Sequence, residues 1–290
     1  MIDPLKLGEQ IERIVLNRIA SDRLSIPTMP AAASACLQLL SDPQCPLTEI
    51  AGSIERDPLL AVQVLRGAHS AAYYNSESVN TLLQAVTRLG IDKTRSLLIE
   101  VSARRLFQSR DSEINRYCRG LWEHSIAVGI MARDLAAFSG STEGEAAYLA
   151  GLLHDVGKPV MAAMLLETEK EIAAGSGTAQ WIGSTAWIAA IQRTHRMVAA
   201  TMAEKWRLPL DVKNTIRECG EYDNVNRASA GNFVRFANAF AKLQGIYVGE
   251  TSKEDAEALV MVGRSLLGLD DAVIERLSVD LRERVKHKLY

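Results

Sequence analysis

Apolar residues along this chain recur at three- and four-residue intervals far more often than they alternate. Leu5, Ile11, Ile14, Val15 and Ile19 mark one face of an opening amphipathic helix that ends near Ala20. Ile26-Pro27-Thr28-Met29-Pro30 then runs extended, because each proline disfavours helix in the residue before it. Short helices follow over 31–40, 46–56 and 57–68, separated by Ser41-Asp42-Pro43 and by Asp57-Pro58. In the second break the aspartate suits an N-cap and the proline the first helical position. Tyr73-Tyr74-Asn75-Ser76 reads as a loop, and helices over 81–89 and 92–107 are punctuated by Gly90.

The polar stretch 111–120 reads as a connection that turns helical towards Trp122, and 121–138 is strongly apolar at helical spacing. Ser141 or Thr142 followed by Glu145 predicts a capping box for a helix over 143–153. Pro159 restarts a helix to about Ala174, and Gly175-Ser176-Gly177 breaks it. Helices over 185–206, 211–218, 228–243, 253–267 and 272–289 complete the pattern. No run alternates β-branched residues, and no fixed period repeats. The predicted fold class is all-α.

Composition narrows the function without choosing it. Over 290 residues, 48% hydrophobic and 23% charged side chains make an ordinary globular balance with a sizeable core. A formal charge of −2 gives no electrostatic case for nucleic acid or an anionic membrane surface. The helices at 46–56 and 57–68 have helix-turn-helix spacing, yet the second offers only Gln63 and Arg66 as base readers, so bundle packing is expected. No apolar run approaches the ~20 residues that span a bilayer, and Met1-Ile2-Asp3-Pro4 does not open like a secretory signal. Cys36, Cys45, Cys118 and Cys219 lack metal or redox spacing, which fits free structural thiols and a cytoplasmic protein.

The chemistry concentrates in Gly151-Leu152-Leu153-His154-Asp155-Val156-Gly157-Lys158. An adjacent histidine and aspartate offer an imidazole nitrogen and a carboxylate oxygen, a pairing that zinc, iron and manganese accept. Consecutive helical side chains diverge, so other helices must close the site. His287 lies in a charged terminal helix, and His69 sits where imidazole satisfies helix-end carbonyls. His124, His154 and His195 remain, either as hydrogen-bonded core residues or as members of one polar pocket with Asp155.

Trp122-Glu123-His124-Ser125 and the segment 151–158 together resemble the HD metal-dependent phosphohydrolase superfamily. The resemblance is closer to its HDOD (HD-related output domain) branch. That branch's pattern is similar to Ile26-Pro27-Thr28-Met29-Pro30, Ile54-Glu55-Arg56-Asp57-Pro58-Leu59-Leu60, Ala85-Val86-Thr87-Arg88-Leu89-Gly90 and Trp206-Arg207-Leu208-Pro209. The resemblance runs from about Leu24 to Arg217, more weakly to Gly245. It implies an HD-domain-like multi-helix bundle with an N-terminal helical subdomain: a first helix over 1–23, an HDOD domain over 24–217 divided near 110, and C-terminal helices over 218–290 packing on the HD-like part.

Superfamily enzymes hold metal with an early histidine, the doublet and a late aspartate. Carried over, these are His124, His154, Asp155 and Asn238, with His195 matching a further histidine of two-metal relatives. The late position is therefore a neutral amide, a poor substitute for an anionic ligand. Loss of one charge should weaken metal binding by several kcal/mol at low local dielectric, unless an acid such as Glu218 or Asp223 reaches in. Lys158 can pair with the remaining carboxylate or contact a phosphate.

The resemblance implies a non-catalytic signalling scaffold that needs no cofactor and acts through another signalling protein, with a nucleotide second messenger as a further ligand class. The alternative is a phosphohydrolase of a nucleotide or other phosphate ester, with iron, manganese, zinc or magnesium in the site. The residues do not specify an oligomeric state.

Overall fold

A computed structural model describes residues 4–21, 26–69, 79–176, 184–249, 251–279 and 281–289, and no strand occurs among them. The predicted loop at Tyr73-Tyr74-Asn75-Ser76 lies outside the described residues, as does Gly177. The chain divides into two units, one of residues Thr28–Arg105 and one of Met1–Pro27 with Leu106–Tyr290. The opening helix, α1 (Pro4–Ala20), belongs to the larger unit.

The smaller unit holds α2 (Ala31–Leu39), α3 (Leu47–Glu55), α4 (Pro58–Ala68) and α5 (Leu82–Arg104). Its core includes Cys36, Ile50, Ile54, Leu60, Val64, Val86 and Leu98, the inward faces that the helical spacing marks. Asp57 caps α4 by accepting the Leu59 and Leu60 N–H groups at 2.9 and 3.3 Å. Thr81 and Gln84 form a reciprocal capping box at the start of α5. Gly90, at φ 75°, kinks α5 where the sequence predicts two helices. Leu60, Val64 and Ala68 bury one face of α4, which packs against α5, in keeping with bundle packing.

The larger unit continues with α6 (Ser112–Phe138), α7 (Gly144–Leu153), α8 (Gly157–Ser176), α9 (Ser184–Lys205), α10 (Leu210–Glu218), α11 (Ala230–Leu243), α12 (Lys253–Leu267), α13 (Asp271–Ser278) and α14 (Leu281–Leu289). Every residue from Ala146 to Leu153 of α7 is buried, with α6, α10 and α11 packed round it. α1 lies on α9, α8 pairs with α9, and α14 is tied to α6 by Arg284–Asp134 at 2.7 Å. Trp206 donates its indole N–H to the Pro27 carbonyl at 2.9 Å, joining two of the proline-bearing motifs.

Four sequence expectations need correction. The polar stretch 111–120 is not a connection: α6 begins at Ser112, because Asp111 accepts the Ile114 N–H at 3.0 Å and Cys118 turns into the core. No capping box opens α7, which starts too late for one. Glu143 is its N-cap residue, and the Glu143 carboxylate instead accepts the Ala230 N–H at 3.0 Å, coupling α7 to the start of α11. The single helix expected over 272–289 is two, α13 and α14, because Val279 turns extended at ψ 129°. The segment Gly144–Leu166 is long and apolar enough to cross a bilayer, with mean hydropathy 1.3. Protein covers 83% of it, and His154 and Asp155 interrupt it, as befits a central core segment.

Candidate functional site

α7 ends at His154, whose backbone is still helical (φ −57°, ψ −33°), and a turn through Val156 leads into α8. The Val156 N–H reaches the Leu153 carbonyl at 3.0 Å, and the Lys158 N–H the Asp155 carbonyl at 2.9 Å. This turn lets two neighbouring side chains point into one space, which a straight helix forbids. Two close approaches then gather the other helices. A Cβ on Gly151 would lie 2.9 Å from Gly129 Cα, so α6 and α7 cross backbone to backbone and bring the His124 and His154 rings to 5.5 Å. A Cβ on Gly157 would lie 1.9 Å from the His195 carbonyl oxygen, so only glycine lets α8 start against α9.

His124, His154, Asp155, Lys158 and His195 thus share one buried cluster within the larger unit, each at most 7% exposed. Burial favours the neutral imidazoles, lowering His124 to about 3, His195 to about 4, and His154 in the same direction. Each neutral ring donates its Nδ1–H to a backbone carbonyl: His124 to Ile246 at 2.7 Å, His154 to Gly151 at 2.7 Å, and His195 to Gln192 at 2.8 Å. All three Nε2 atoms therefore carry lone pairs, and all three face Asp155, at 3.9, 3.4 and 3.3 Å for His124, His154 and His195. Lone pairs facing a carboxylate repel it, so the cluster is built for a cation.

The structure supplies one. Lys158 Nζ lies 2.5 Å from Asp155 Oδ2. Burial opposes charge on both groups, yet the Lys158 ammonium holds the Asp155 carboxyl well below its usual range, and Asp155 keeps Lys158 protonated. Tyr247 completes the setting: its hydroxyl lies 3.4 Å from Lys158 Nζ and 3.3 Å from Gln192 Nε2, and its ring meets His124 edge-on at 5.0 Å. His154 Nε2 is buried with no hydrogen-bond partner.

Asn238, on α11, stands where the resemblance places the late acid, its amide 3.1 Å from His124 Nε2. Since that nitrogen is an acceptor, the amide NH2 must face it, an orientation reached by a simple flip. No second carboxylate joins the cluster among the described residues. Glu218 is exposed at the end of α10, and Asp223 instead caps its own loop by accepting the Val225 and Asn226 N–H groups. His69 bonds the Leu65 carbonyl at a helix end and His287 is exposed, as expected.

The residues fit a borderline divalent ion in part. His124, His154 and Asp155 present donor atoms within 4.8 Å of one another, and their Nδ1–H anchors are the usual outer support of metal-bound histidines. Against this stand one anionic ligand where two are expected, and an ammonium already bonded to that ligand. Nothing in the sequence pattern marks Tyr247 or the Ile246 and Gln192 carbonyls as members of the site. Their roles come from helices that meet only in the fold.

Residues 26–221 match the sequence pattern described as the HDOD domain. An uncharacterized protein of Treponema pallidum (strain Nichols) is 28% identical over 226 residues, which is 75% of this chain and 42% of that protein. The chain therefore matches less than half of that relative's length. A candidate metal-dependent phosphohydrolase from Shewanella amazonensis SB2B superposes with a TM-score of 0.70 at 19% identity, covering 98% of this chain and 100% of its own. An HDOD domain protein of unknown function from Geobacter sulfurreducens gives 0.66 at 21%, covering 97% of each chain. At such identities these two neighbours establish the fold.

Proposed function

The chain belongs to the HDOD family, and we propose that it is a signalling module that has kept the HD-type cluster as a structural and regulatory centre without hydrolysis. The observation that carries this reading is the Lys158–Asp155 pair at 2.5 Å. An ammonium bonded to Asp155 neutralises the charge a metal would otherwise balance, and Asn238 supplies no second anion. The module then acts through contact with another signalling protein, its output set by the state of the helices that meet at the cluster.

The convergence of three Nε2 lone pairs favours a second reading, a phosphohydrolase whose site admits metal when Lys158 withdraws. In that case His124, His154, Asp155 and His195 hold the ion and Asn238 orients His124. The ion would polarise a phosphoryl oxygen and acidify bound water. Lys158, released from Asp155, would then be free to meet a phosphate.

Elemental analysis of the purified chain, with a panel of phosphomonoesters, phosphodiesters and nucleotides, separates the two. The scaffold reading expects far less than one metal per chain and no turnover. Near-stoichiometric metal with turnover abolished in Asp155→Ala would overturn it.

A further inference from the structure

Beside the cluster, and sharing Asn238 and Tyr247 with it, lies a cavity of about 530 Å³. That volume falls in the about 300–1,000 Å³ range of small-molecule sites. Residues of α9, α11 and the start of α12 line this half-open pocket, and its charged lining is Arg196, Arg235, Lys242 and Asp255. The three cations form no ion pair among the described residues. Arg235 Nε is buried with no hydrogen-bond partner, and its guanidinium lies over the Tyr222 ring at 5.1 Å. Lys242 is likewise held over the Tyr247 ring at 4.9 Å. Burial first, then Lys158, Arg196 and Arg235, lowers the Lys242 pKa, so these cations crowd one another. Gly220 leaves the Arg196 guanidinium its space, since a Cβ there would fall 2.5 Å from it.

An ordinary solvated basic face would let these groups spread into water. Here the three cationic side chains line one half-open pocket, and the Arg235 Nε donor is buried and unsatisfied. Such a set is satisfied by a multiply charged anion with several acceptor oxygens. Ile188, Ala239, Ala256 and Leu259 provide an apolar wall for the rest of a ligand.

We propose that this cavity is a receptor site for a phosphate-bearing small molecule of about nucleotide size, bound by Arg196, Arg235 and Lys242. The site depends on the non-hydrolytic reading only in that the ligand is kept intact, which makes it a sensory input to the module.

Titration calorimetry of the full chain tests this with adenosine diphosphate, inorganic pyrophosphate and adenosine. Saturable heat is expected with the two phosphates and none with adenosine. Tighter binding of the diphosphate assigns an organic phosphate, equal binding an inorganic one, and either result supports the site. Arg235→Gln and Lys242→Gln should each weaken binding by about tenfold or more, while Lys213→Gln, on the outer face of α10, leaves it unchanged. Arg196→Gln, at an exposed position, repeats the test should the half-buried variants fold poorly. Absence of saturable heat with both phosphates, or binding indifferent to all three cavity substitutions, would overturn the proposal. Phosphate release from the diphosphate would instead overturn the non-hydrolytic reading and leave the cavity standing.

Discussion

Lys158 Nζ stands 2.5 Å from Asp155 Oδ2 with both residues 2% exposed, so the cluster holds its cation on its own chain. Removing one partner of such a pair leaves an uncompensated buried charge, which costs about 3–5 kcal/mol. Lys158→Met should therefore lower the urea midpoint sharply. The double variant Asp155→Asn with Lys158→Met should lose much less than the sum of the single changes, and strict additivity in that cycle would contradict the pairing.

The same variant bears on the metal. With the ammonium gone, three Nε2 lone pairs and the Asp155 carboxylate face one another without a counter-charge. Zinc or manganese should raise the melting temperature of Lys158→Met by several degrees while moving that of the native chain little. A shift of equal size in both proteins would show that Lys158 does not compete for the site.

Asn238 lies 3.1 Å from His124 Nε2, close enough for a carboxylate there to join the donor set. Asn238→Asp should tighten divalent-metal binding by about a hundredfold or more, the counterpart of the several kcal/mol that one anionic ligand contributes at reduced dielectric. Competition against a chelating dye measures it, and unchanged affinity would remove position 238 from the metal shell.

Gly157 carries the contact that brings α9 to Asp155. In Gly157→Ala the new Cβ meets the His195 carbonyl at 1.9 Å, a distance only backbone movement can relieve. Destabilisation of about 3 kcal/mol, at the upper end for overpacking, should appear in urea unfolding. A neutral result would show that the α8–α9 contact yields freely.

Three buried neutral histidines make the fold acid-sensitive. Unfolded histidine titrates near pH 6.5, while folded His124 and His195 are lowered to about 3 and about 4, and His154 is lowered too. As pH falls below about 6.5 the unfolded chain takes up protons that the folded chain refuses, so stability is full above that pH and declines below it. Each histidine contributes up to about 1.4 kcal/mol per pH unit in this window. Asp155, also lowered, acts in the same sense only at pH values below its ordinary range. Urea midpoints at pH 7.5, 6 and 5 should fall steadily, and a flat profile would mean the rings are protonated or solvated in the fold.

The sequence alone determined the helical class, most helix positions and the break at Gly90, because these follow from local spacing and from proline, glycine and N-cap chemistry. It also nominated His124, His154, Asp155, Lys158, His195 and Asn238, through short motifs that survive as strings of residues. Local signals misled where a distant partner intervened, as when Glu143 bonds Ala230 in place of closing a capping box. Only the tertiary structure decided how the nominated residues meet: that Lys158 turns to Asp155, that all three Nε2 atoms face one carboxylate, and that Tyr247, Arg196, Arg235 and Lys242 stand beside them. These relations depend on how closely helices far apart in the chain can approach, which the Gly151–Gly129 and Gly157–His195 contacts set. A helix's own periodicity carries no information about its neighbour's backbone.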